Sequence, residues 1–226
     1  MSHYDGGMPH LLHLDSSADA EHSRSRAITA TFAAAWRDQG TDRTVTYRDL
    51  HRDPLPHLAD AALHWPPRLR PAGAAPPAAA TALQEELSAE LVAADVLLIG
   101  APLYNYSVPS SLKAWIDHIH VPGVTAPFDV PTQPLAGRPA VLVTSRGASY
   151  DPGTPTEGWD HAIPVLELIL GNSLGMTITV ITTSLTLAET VPALADQIDR
   201  SRAELARAHE RAAETARQLA AQAAAG

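Results

Sequence analysis

Three short polar segments hold the residues whose types and spacing could do chemistry. The first segment brings three hydroxyls and one arginine together ahead of a helical pattern: Ser17, Ser23, Arg24 and Ser25. Hydroxyls, the free N–H groups of a helix start and the positive end of the helix dipole together bind phosphate. Serine is also an ordinary helix N-cap, so this segment alone leaves a cap and a phosphate site both open.

Glycine is absent from the first segment, and this narrows the ligands that fit it. No glycine occurs between Gly7 and Gly40. The nucleoside triphosphate loop and the dinucleotide fingerprint both need glycines at fixed spacing, because their backbones approach the phosphates closely. The segment therefore gives no support to either of those two classes of site.

The second segment places two aromatic rings and an amide directly after an apolar stretch. Its residues are Leu103, Tyr104, Asn105 and Tyr106. Pro102 and Pro109 stiffen the backbone at both ends, which favours fixed peptide groups held against a planar ring that forms hydrogen bonds. The alternative is that the tyrosines pack on a sheet edge and the asparagine makes a turn.

The third segment consists mostly of small residues. They are Ser145, Arg146, Gly147 and Ala148. Small residues let a backbone pass close to a flat ligand, and Gly147 could adopt a positive φ. An ordinary turn at Gly147 is the alternative. Together, the three segments predict a phosphate cradle and two walls for a planar ring.

Five apolar or β-branched stretches predict the strands that would position these segments. The stretches are Leu11–Leu14, Thr44–Leu50, Val96–Gly100, Ala140–Thr144 and Thr177–Thr182. Helical patterns alternate with them, which favours an α/β three-layer, doubly wound fold with a parallel five-stranded sheet in the order 2-1-3-4-5. Ligands of such sheets bind at the carboxyl ends of the strands, where the strand order reverses. The three segments follow the first, third and fourth strands, so we expect them to meet.

The helical patterns and the prolines predict the rest of a single domain over residues 1–226. Helices are predicted before Gly40 and at Thr81–Ala93, Ser110–Ile119, Ala162–Leu170 and Ala188–Ala224. The stretch 54–77 contains seven prolines, which predicts an irregular excursion without any helix. A loop that contains proline and glycine is predicted at 121–139, as an interface or substrate loop.

The composition excludes several classes of function. The 226 residues include 16 basic and 25 acidic side chains, which gives a formal net charge of −9, and no cysteine. An acidic surface repels nucleic acid and anionic membranes. The lack of cysteine excludes disulfides, thiolate catalysis and cysteine-ligated metals. No apolar run reaches the roughly 20 residues of a membrane helix, and the start lacks a signal-peptide pattern, so a cytoplasmic protein is expected.

The same segments resemble motifs of the FMN-dependent NADH:quinone oxidoreductase and azoreductase family of flavodoxin-like proteins. The spacing of Ser17 and Ser23–Ser25 resembles the family's loop for the FMN phosphate. Pro102–Tyr106, followed by Pro109–Lys113, resembles its Pro-Met-Tyr-Asn-Phe segment beside the isoalloxazine ring. Thr144–Ala148 resembles its Thr-Ser-Arg-Gly-Gly loop on the pyrimidine side of the flavin. The resemblance extends from residue 11 to about residue 195, and the middle motif is its most specific part.

The resemblance implies an enzyme that binds FMN and takes electrons from NADH or NADPH. Its acceptor would be a quinone, an azo compound or a similar flat aromatic molecule, reduced by a ping-pong mechanism. The first segment would hold the phosphate, and Leu103 to Tyr106 would hold the ring, with Ser145 to Ala148 on the opposite side. The flavin supplies the chemistry in such an enzyme, so no side chain is expected to be catalytic. The family works as a homodimer with its sites at the interface, which implies a homodimer here.

Two positions depart from the family's pattern. Ala148 replaces the second glycine of the third motif, which would cost on the order of 1 kcal/mol if that position needs a positive φ. After the fifth strand the family usually has an acidic residue followed by glycine, where this chain has Thr182–Leu185. The identity of the acceptor therefore stays open.

Other functions have weaker support in the sequence. Eleven histidines, His118 and His120 among them, suggest a metal site, but histidines two positions apart on a helix point to different faces, and no metal site is predicted. A serine hydrolase would need a Gly-x-Ser-x-Gly elbow, which no predicted strand precedes. A flavodoxin-like protein without redox turnover, either an isomerase or a binding subunit, stays open as the alternative.

Overall fold

The computed structural model describes residues 8–225, which form a five-stranded parallel sheet between two layers of helices. The strands are β1 (His10–Asp15), β2 (Thr44–Asp49), β3 (Val96–Gly100), β4 (Pro139–Ser145) and β5 (Thr177–Thr183). Their order is β2-β1-β3-β4-β5, and every pairing is parallel. The predicted fold class and strand order are confirmed. Residues 1–7 and 226 of the predicted single domain lie outside the described residues.

Within the described part of the chain, five α-helices flank the sheet. They are α1 (Arg24–Arg37), α2 (Ala78–Ala93), α3 (Ser110–Ile119), α4 (Ala162–Leu166) and α5 (Ile198–Ala225). Within residues 8–225 no helix is both long and apolar enough to cross a membrane. The cytoplasmic location stays a prediction.

Alternating side chains of the central strands build a core on each face of the sheet. Leu97 and Ile99 of β3 point into one core, with α2, α3 and α4, whereas Val96 and Leu98 point into the other, with α1 and α5. Every residue of β3 is buried. A strand covered on both faces needs an unbroken apolar run, which is the pattern that the sequence shows.

Close packing between α1 and α5 depends on a stripe of small residues. Ala208, Ala212, Ala216 and Ala220 recur at every fourth position of α5 and are at most 3% exposed. Residues four apart share one helix face, so these alanines let α5 approach the large side chains Phe32 and Trp36 of α1.

The proline-rich excursion contains short helices, so the prediction of no helix there was wrong. Ala61–His64 and Pro67–Leu69 are single 3₁₀ turns. Asp60 caps the first turn by accepting a hydrogen bond from the N–H of Ala62 at 2.7 Å. Proline excludes long α-helices but is tolerated at the first position of a helix, where an N–H has no partner to lose.

Two predicted helices differ from the observed ones in their bounds or winding. The C-terminal helix begins at Ile198, ten residues later than predicted, because a 3₁₀ helix at Pro192–Gln197 precedes it. The helix predicted to reach Leu170 changes to π winding at Glu167–Ser173, where the N–H of Leu174 bonds to the carbonyl of Ile169 at 2.9 Å.

Candidate functional site

The three polar segments lie side by side at the carboxyl ends of β1, β3 and β4. The N–H and the hydroxyl of Ser16 both donate to the carbonyl of Gly100, at 3.1 and 2.7 Å. The N–H of Leu103 donates to the carbonyl of Ser145 at 2.9 Å. The hydroxyl of Tyr104 accepts from the N–H of Ala18 at 3.0 Å. One continuous surface therefore carries all three segments.

Gly100 lets β1 and β3 approach each other beneath this surface. It pairs with Asp15 in the parallel register. A Cβ at Gly100 would clash with the buried carboxylate of Asp15 and crowd the methyl group of Thr29 at 3.3 Å. Only glycine fits here without displacing that carboxylate.

Ser23 and Ser25 stand together at the start of α1. Ser23 is the N-cap, and its hydroxyl accepts from the N–H of Arg26 at 3.3 Å. The hydroxyls of Ser23 and Ser25 are 3.0 Å apart. The first N–H groups of an α-helix have no acceptor within the helix, so this end can offer N–H groups and the half-buried hydroxyl of Ser23 to an anion. Ser25 is fully buried behind them.

Arg24 points its side chain away from the other residues of its segment. The guanidinium donates to the hydroxyl of Ser201 in α5 at 2.8 Å, and that hydroxyl donates to the carbonyl of Leu185 at 2.8 Å. Arg24 thus ties the start of α1 to α5 and to the chain after β5. At the start of α1, Arg24 can therefore donate its backbone N–H, rather than its side chain, to an anion.

The second segment is a tight turn with a strained backbone. The N–H groups of Tyr104 and Ser107 each donate to the other residue's carbonyl at 3.0 Å. Asn105 and Tyr106 between them have φ values of 48° and 68°, which are the signs of a type I′ turn. Tyrosine rarely adopts this conformation, and such strain concentrates at functional sites.

The side chain of Arg146 in the third segment is engaged by its neighbours. It pairs with Asp160 at 3.2 Å and donates to the hydroxyl of Ser184 at 3.0 Å. Neither Gly147 nor Ala148 has a positive φ, so Ala148 brings no backbone strain. A Cβ at Gly147 would lie 3.0 Å from the side chain of Leu187, which is nearly half exposed and would have to move slightly.

Aromatic side chains border the second and third segments. Tyr106 and Trp159, each nearly half exposed, meet edge to face with their ring centroids 5.4 Å apart. The N–H of His161 donates to the carbonyl of Tyr106 at 2.9 Å. Burial, with Tyr106 and Asp160 nearby, raises the pKa of Tyr150. Neutral rings therefore line one side of the surface, which suits a flat aromatic molecule.

Sequence reasoning missed a buried polar cluster beneath the first segment. Asp15 and Asp49 end two paired strands, and Arg26 reaches them from the first turn of α1. Arg26 holds Asp49 through two hydrogen bonds of 2.7 and 2.8 Å, and it lies 3.9 Å from Asp15. Tyr47 donates to Asp15 at 3.2 Å. The sequence did contain a signal for this cluster. Two strands that were predicted to pair end in acidic residues, and an arginine lies near the start of the helix that follows the first of them.

Neighbouring charges set the protonation of this cluster. Burial raises the pKa of Asp49, but hydrogen bonds from Arg26 and from the N–H groups of Arg52 and His51 outweigh it and lower the pKa to about 2. Burial and the two carboxylates raise the pKa of Tyr47 to about 12. At neutral pH the cluster therefore contains an ionised Asp49 and a neutral Tyr47.

The histidines considered as metal ligands have other partners. His118 is buried and its Nε2 lies 2.9 Å from the carbonyl of Pro56, whereas Nε2 of His120 lies 2.7 Å from the hydroxyl of Ser173. In residues 8–225 no three histidine or acidic side chains are grouped so that they could hold a metal ion.

Comparison with known proteins decides the family. A family model described as a flavodoxin-like fold matches residues 9–218. A protein of Kineococcus radiotolerans named FMN-dependent NADH:quinone oxidoreductase is 61% identical over 212 residues, which cover 94% of this chain and 100% of the relative. The chain belongs to the FMN-dependent NADH:quinone oxidoreductase family.

Solved structures of other proteins have a similar fold. An azoreductase of Bacillus anthracis is 20% identical, with a TM-score of 0.77, and the match covers 93% of this chain and 100% of the other. An FMN-dependent NADH-azoreductase from the same species, solved in complex with FMN, is 19% identical with a TM-score of 0.74 over 94% of this chain and 100% of the other. This family of oxidoreductases therefore shares its fold with the azoreductases.

The pKa of Asp49 generates a prediction about acid stability. Because the folded-state pKa lies below the usual 3.8, the ionised carboxylate stabilises the fold above about pH 4, and this contribution is lost as the pH falls towards 2. The difference in unfolding free energy between the wild type and Asp49→Asn should shrink by about 2 kcal/mol between pH 6 and pH 2. Urea denaturation at a series of pH values measures it.

A matched control is Glu189→Gln, which removes an exposed carboxylate that pairs with the exposed guanidinium of Arg202 at 2.8 Å. Exposed pairs contribute little, so its difference from the wild type should change much less with pH than that of Asp49→Asn. A difference between wild type and Asp49→Asn that stays constant with pH would contradict the assignment.

Proposed function

We propose that this protein is an FMN-dependent oxidoreductase that passes two electrons from NADH to a quinone or an azo compound. The observation that carries the proposal is the 61% identity, over 94% of this chain, to a relative named FMN-dependent NADH:quinone oxidoreductase. The meeting of the three segments at one end of the sheet supports it independently, because that end is where a doubly wound fold binds its ligand.

The residues at the strand ends fit a phosphorylated flavin. The hydroxyls of Ser17, Ser23 and Ser25 and the N–H groups at the start of α1 are a donor set suited to phosphate. The strained turn at Asn105 and Tyr106 presents backbone groups to a planar ring, and Ser145 to Ala148 would line its other side. FMN bound there supplies the hydride chemistry, and the protein supplies position and electrostatics.

The donor and the acceptor are proposed to use the same surface in turn, which gives ping-pong kinetics. Tyr106 and Trp159 border that surface with exposed apolar rings, which favours flat aromatic molecules over small polar ones. Parallel lines in double-reciprocal plots of rate against NADH at several quinone concentrations would support one site used in turn.

Colour tests the proposal most directly. The purified protein, or the protein after incubation with FMN, should be yellow, and NADH should bleach it in the absence of oxygen, with the colour returning on addition of a quinone. Absorption spectroscopy follows each step. A protein that stays colourless after incubation with FMN would overturn the proposal and favour an isomerase or a binding subunit on the same scaffold.

The two serines at the start of α1 give a prediction about cofactor affinity. Ser23→Ala with Ser25→Ala should weaken FMN binding about 10- to 100-fold, because two hydroxyl donors to a charged phosphate are lost. Loss of the Ser23 cap should lower the unfolding free energy by about 1 kcal/mol, which leaves the fold intact. Titration calorimetry of FMN into the flavin-free protein measures the affinity.

Ser88→Ala on α2 is the control, since it removes one hydroxyl from a helix away from the strand ends. Its FMN affinity should equal that of the wild type. Unchanged affinity in the double variant would remove the start of α1 from the proposed phosphate site.

We propose further that the protein is a homodimer. Beyond the family resemblance, large apolar side chains stand exposed in the loop 121–139: Val124, Phe128 and Val130, with Phe128 64% exposed. Trp65 of the proline-rich excursion packs on Phe128 at 5.4 Å between ring centroids. Exposed apolar side chains grouped in this way are typical of protein interfaces.

Sedimentation equilibrium should give about twice the 24.0 kDa mass of one chain. Phe128→Asp should shift the protein towards monomer, because a charge would be buried at the interface. Met8→Asp is the matched control, with a side chain that is 63% exposed and lies before β1, outside the loop. A wild type that sediments as a monomer, or a Phe128→Asp variant that dimerises as the wild type does, would contradict the assignment.

A further inference from the structure

All five N–H donors of Arg26 are already in use within the protein. A guanidinium has five such donors. Two go to the carboxylate of Asp49, at 2.7 and 2.8 Å, and one goes to the hydroxyl of Tyr47 at 3.2 Å. The remaining two go to the carbonyl of Ser17, at 3.2 and 2.6 Å. Arg26 could therefore contact a bound phosphate only by giving up one of these bonds.

The bonds to the carbonyl of Ser17 determine where the next N–H points. The peptide between Ser17 and Ala18 is trans, so its C=O and N–H point in opposite directions. Because Arg26 draws the carbonyl towards the buried cluster, the N–H of Ala18 is turned the other way, where it donates to the hydroxyl of Tyr104 at 3.0 Å. Arg26 thus fixes the direction of this N–H, and a phosphate bound here would take it over from the hydroxyl of Tyr104 or share that hydroxyl.

The charge of Arg26 also offsets the acidic groups beneath that segment. Asp15 and Asp49 are 3% and 6% exposed, and both lie at strand ends under the chain that carries Ser17. A phosphate monoester carries between one and two negative charges at neutral pH, so two uncompensated carboxylates at this place would oppose it. The Arg26 guanidinium lies between the carboxylates, 2.7 Å from Asp49 and 3.9 Å from Asp15.

We propose that Arg26 is a positioning residue that gives this protein its preference for a phosphorylated flavin without touching the phosphate. It does so by fixing the peptide between Ser17 and Ala18, whose N–H is bonded to the hydroxyl of Tyr104, and by offsetting part of the charge of the two buried aspartates. The inference rests on the proposed function, because it assumes that FMN binds at the start of α1. It goes further by assigning the discrimination between FMN and unphosphorylated flavin to a residue outside the three segments.

Binding of FMN and of riboflavin to the flavin-free protein tests the inference, since riboflavin has the same ring and lacks the phosphate. Arg26→Gln should weaken FMN about 10- to 100-fold and change riboflavin by less than about twofold. Arg26→Lys, which keeps the charge but has fewer donors, should recover part of the loss. The affinities are measured by quenching of flavin fluorescence.

Arg48→Gln is the matched control. Arg48 lies on β2 and, like Arg26, holds a carboxylate through two bonds, to Glu90 at 2.6 Å each. It also bonds to Glu86, and both of these glutamates lie on α2. The control should lower the unfolding midpoint in urea and leave both flavin affinities unchanged. A merely structural Arg26 would behave in the same way as Arg48.

The outcomes separate this inference from the proposed function. A wild type that binds neither flavin overturns both. A wild type that prefers FMN, together with Arg26→Gln that keeps the full preference or weakens the binding of both flavins equally, overturns the inference alone.

If Arg26→Gln does not fold, Arg26→Gln with Asp49→Asn removes the unpaired carboxylate as well. That variant should still lose preference for FMN, because the N–H of Ala18 is no longer held, and retention of the full preference would count against the proposal.

Discussion

The structure depends on the parallel pairing of β3 with β1 and β4, since this pairing brings the ends of three strands to one place. All the side chains of β3 are buried, so its position is fixed by both cores. Hydrogen bonds from Ser16 to Gly100 and from Leu103 to Ser145 continue the pairing past the strands and into the loops. The surface that these loops form is therefore an extension of the sheet, and the same kind of backbone hydrogen bond fixes it.

Two residues near this surface have a strained backbone conformation, and packing with neighbouring residues stabilises it. Tyr106 and Leu185 both have a positive φ, of 68° and 59°, which costs of the order of 1–3 kcal/mol for such residues. Leu185 is buried, and its carbonyl accepts from Ser201 of α5. Burial and this hydrogen bond therefore hold Leu185 in a conformation that favours glycine.

The sequence predicted an element correctly where the pattern that defines the element lies within a few neighbouring residues. The apolar run of β3, and Pro109 directly before α3, predicted these elements with their correct bounds. The π winding after Leu166 and the late start of α5 could not be predicted, because periodicity does not distinguish a π turn from an α turn or a 3₁₀ lead-in from a helix. The hydrogen bonds of Arg26 could not be predicted for another reason. They join it to Ser17, Tyr47 and Asp49, which are distant in sequence and meet only in the folded chain.

An acidic chain that binds an anionic cofactor must create attraction locally. The formal net charge is −9, but at physiological ionic strength charges are screened over about 8 Å, so distant acidic groups on the surface have little influence at the strand ends. What matters there is the arrangement within a few ångströms: the start of α1, its hydroxyls, and the two aspartates with one guanidinium between them. Because a buried charge is screened far less than an exposed one, a single internal arginine beside two aspartates would change the potential at the proposed phosphate site more than distant surface charges do. Overall charge and local affinity for an anion are for this reason separate properties of the molecule.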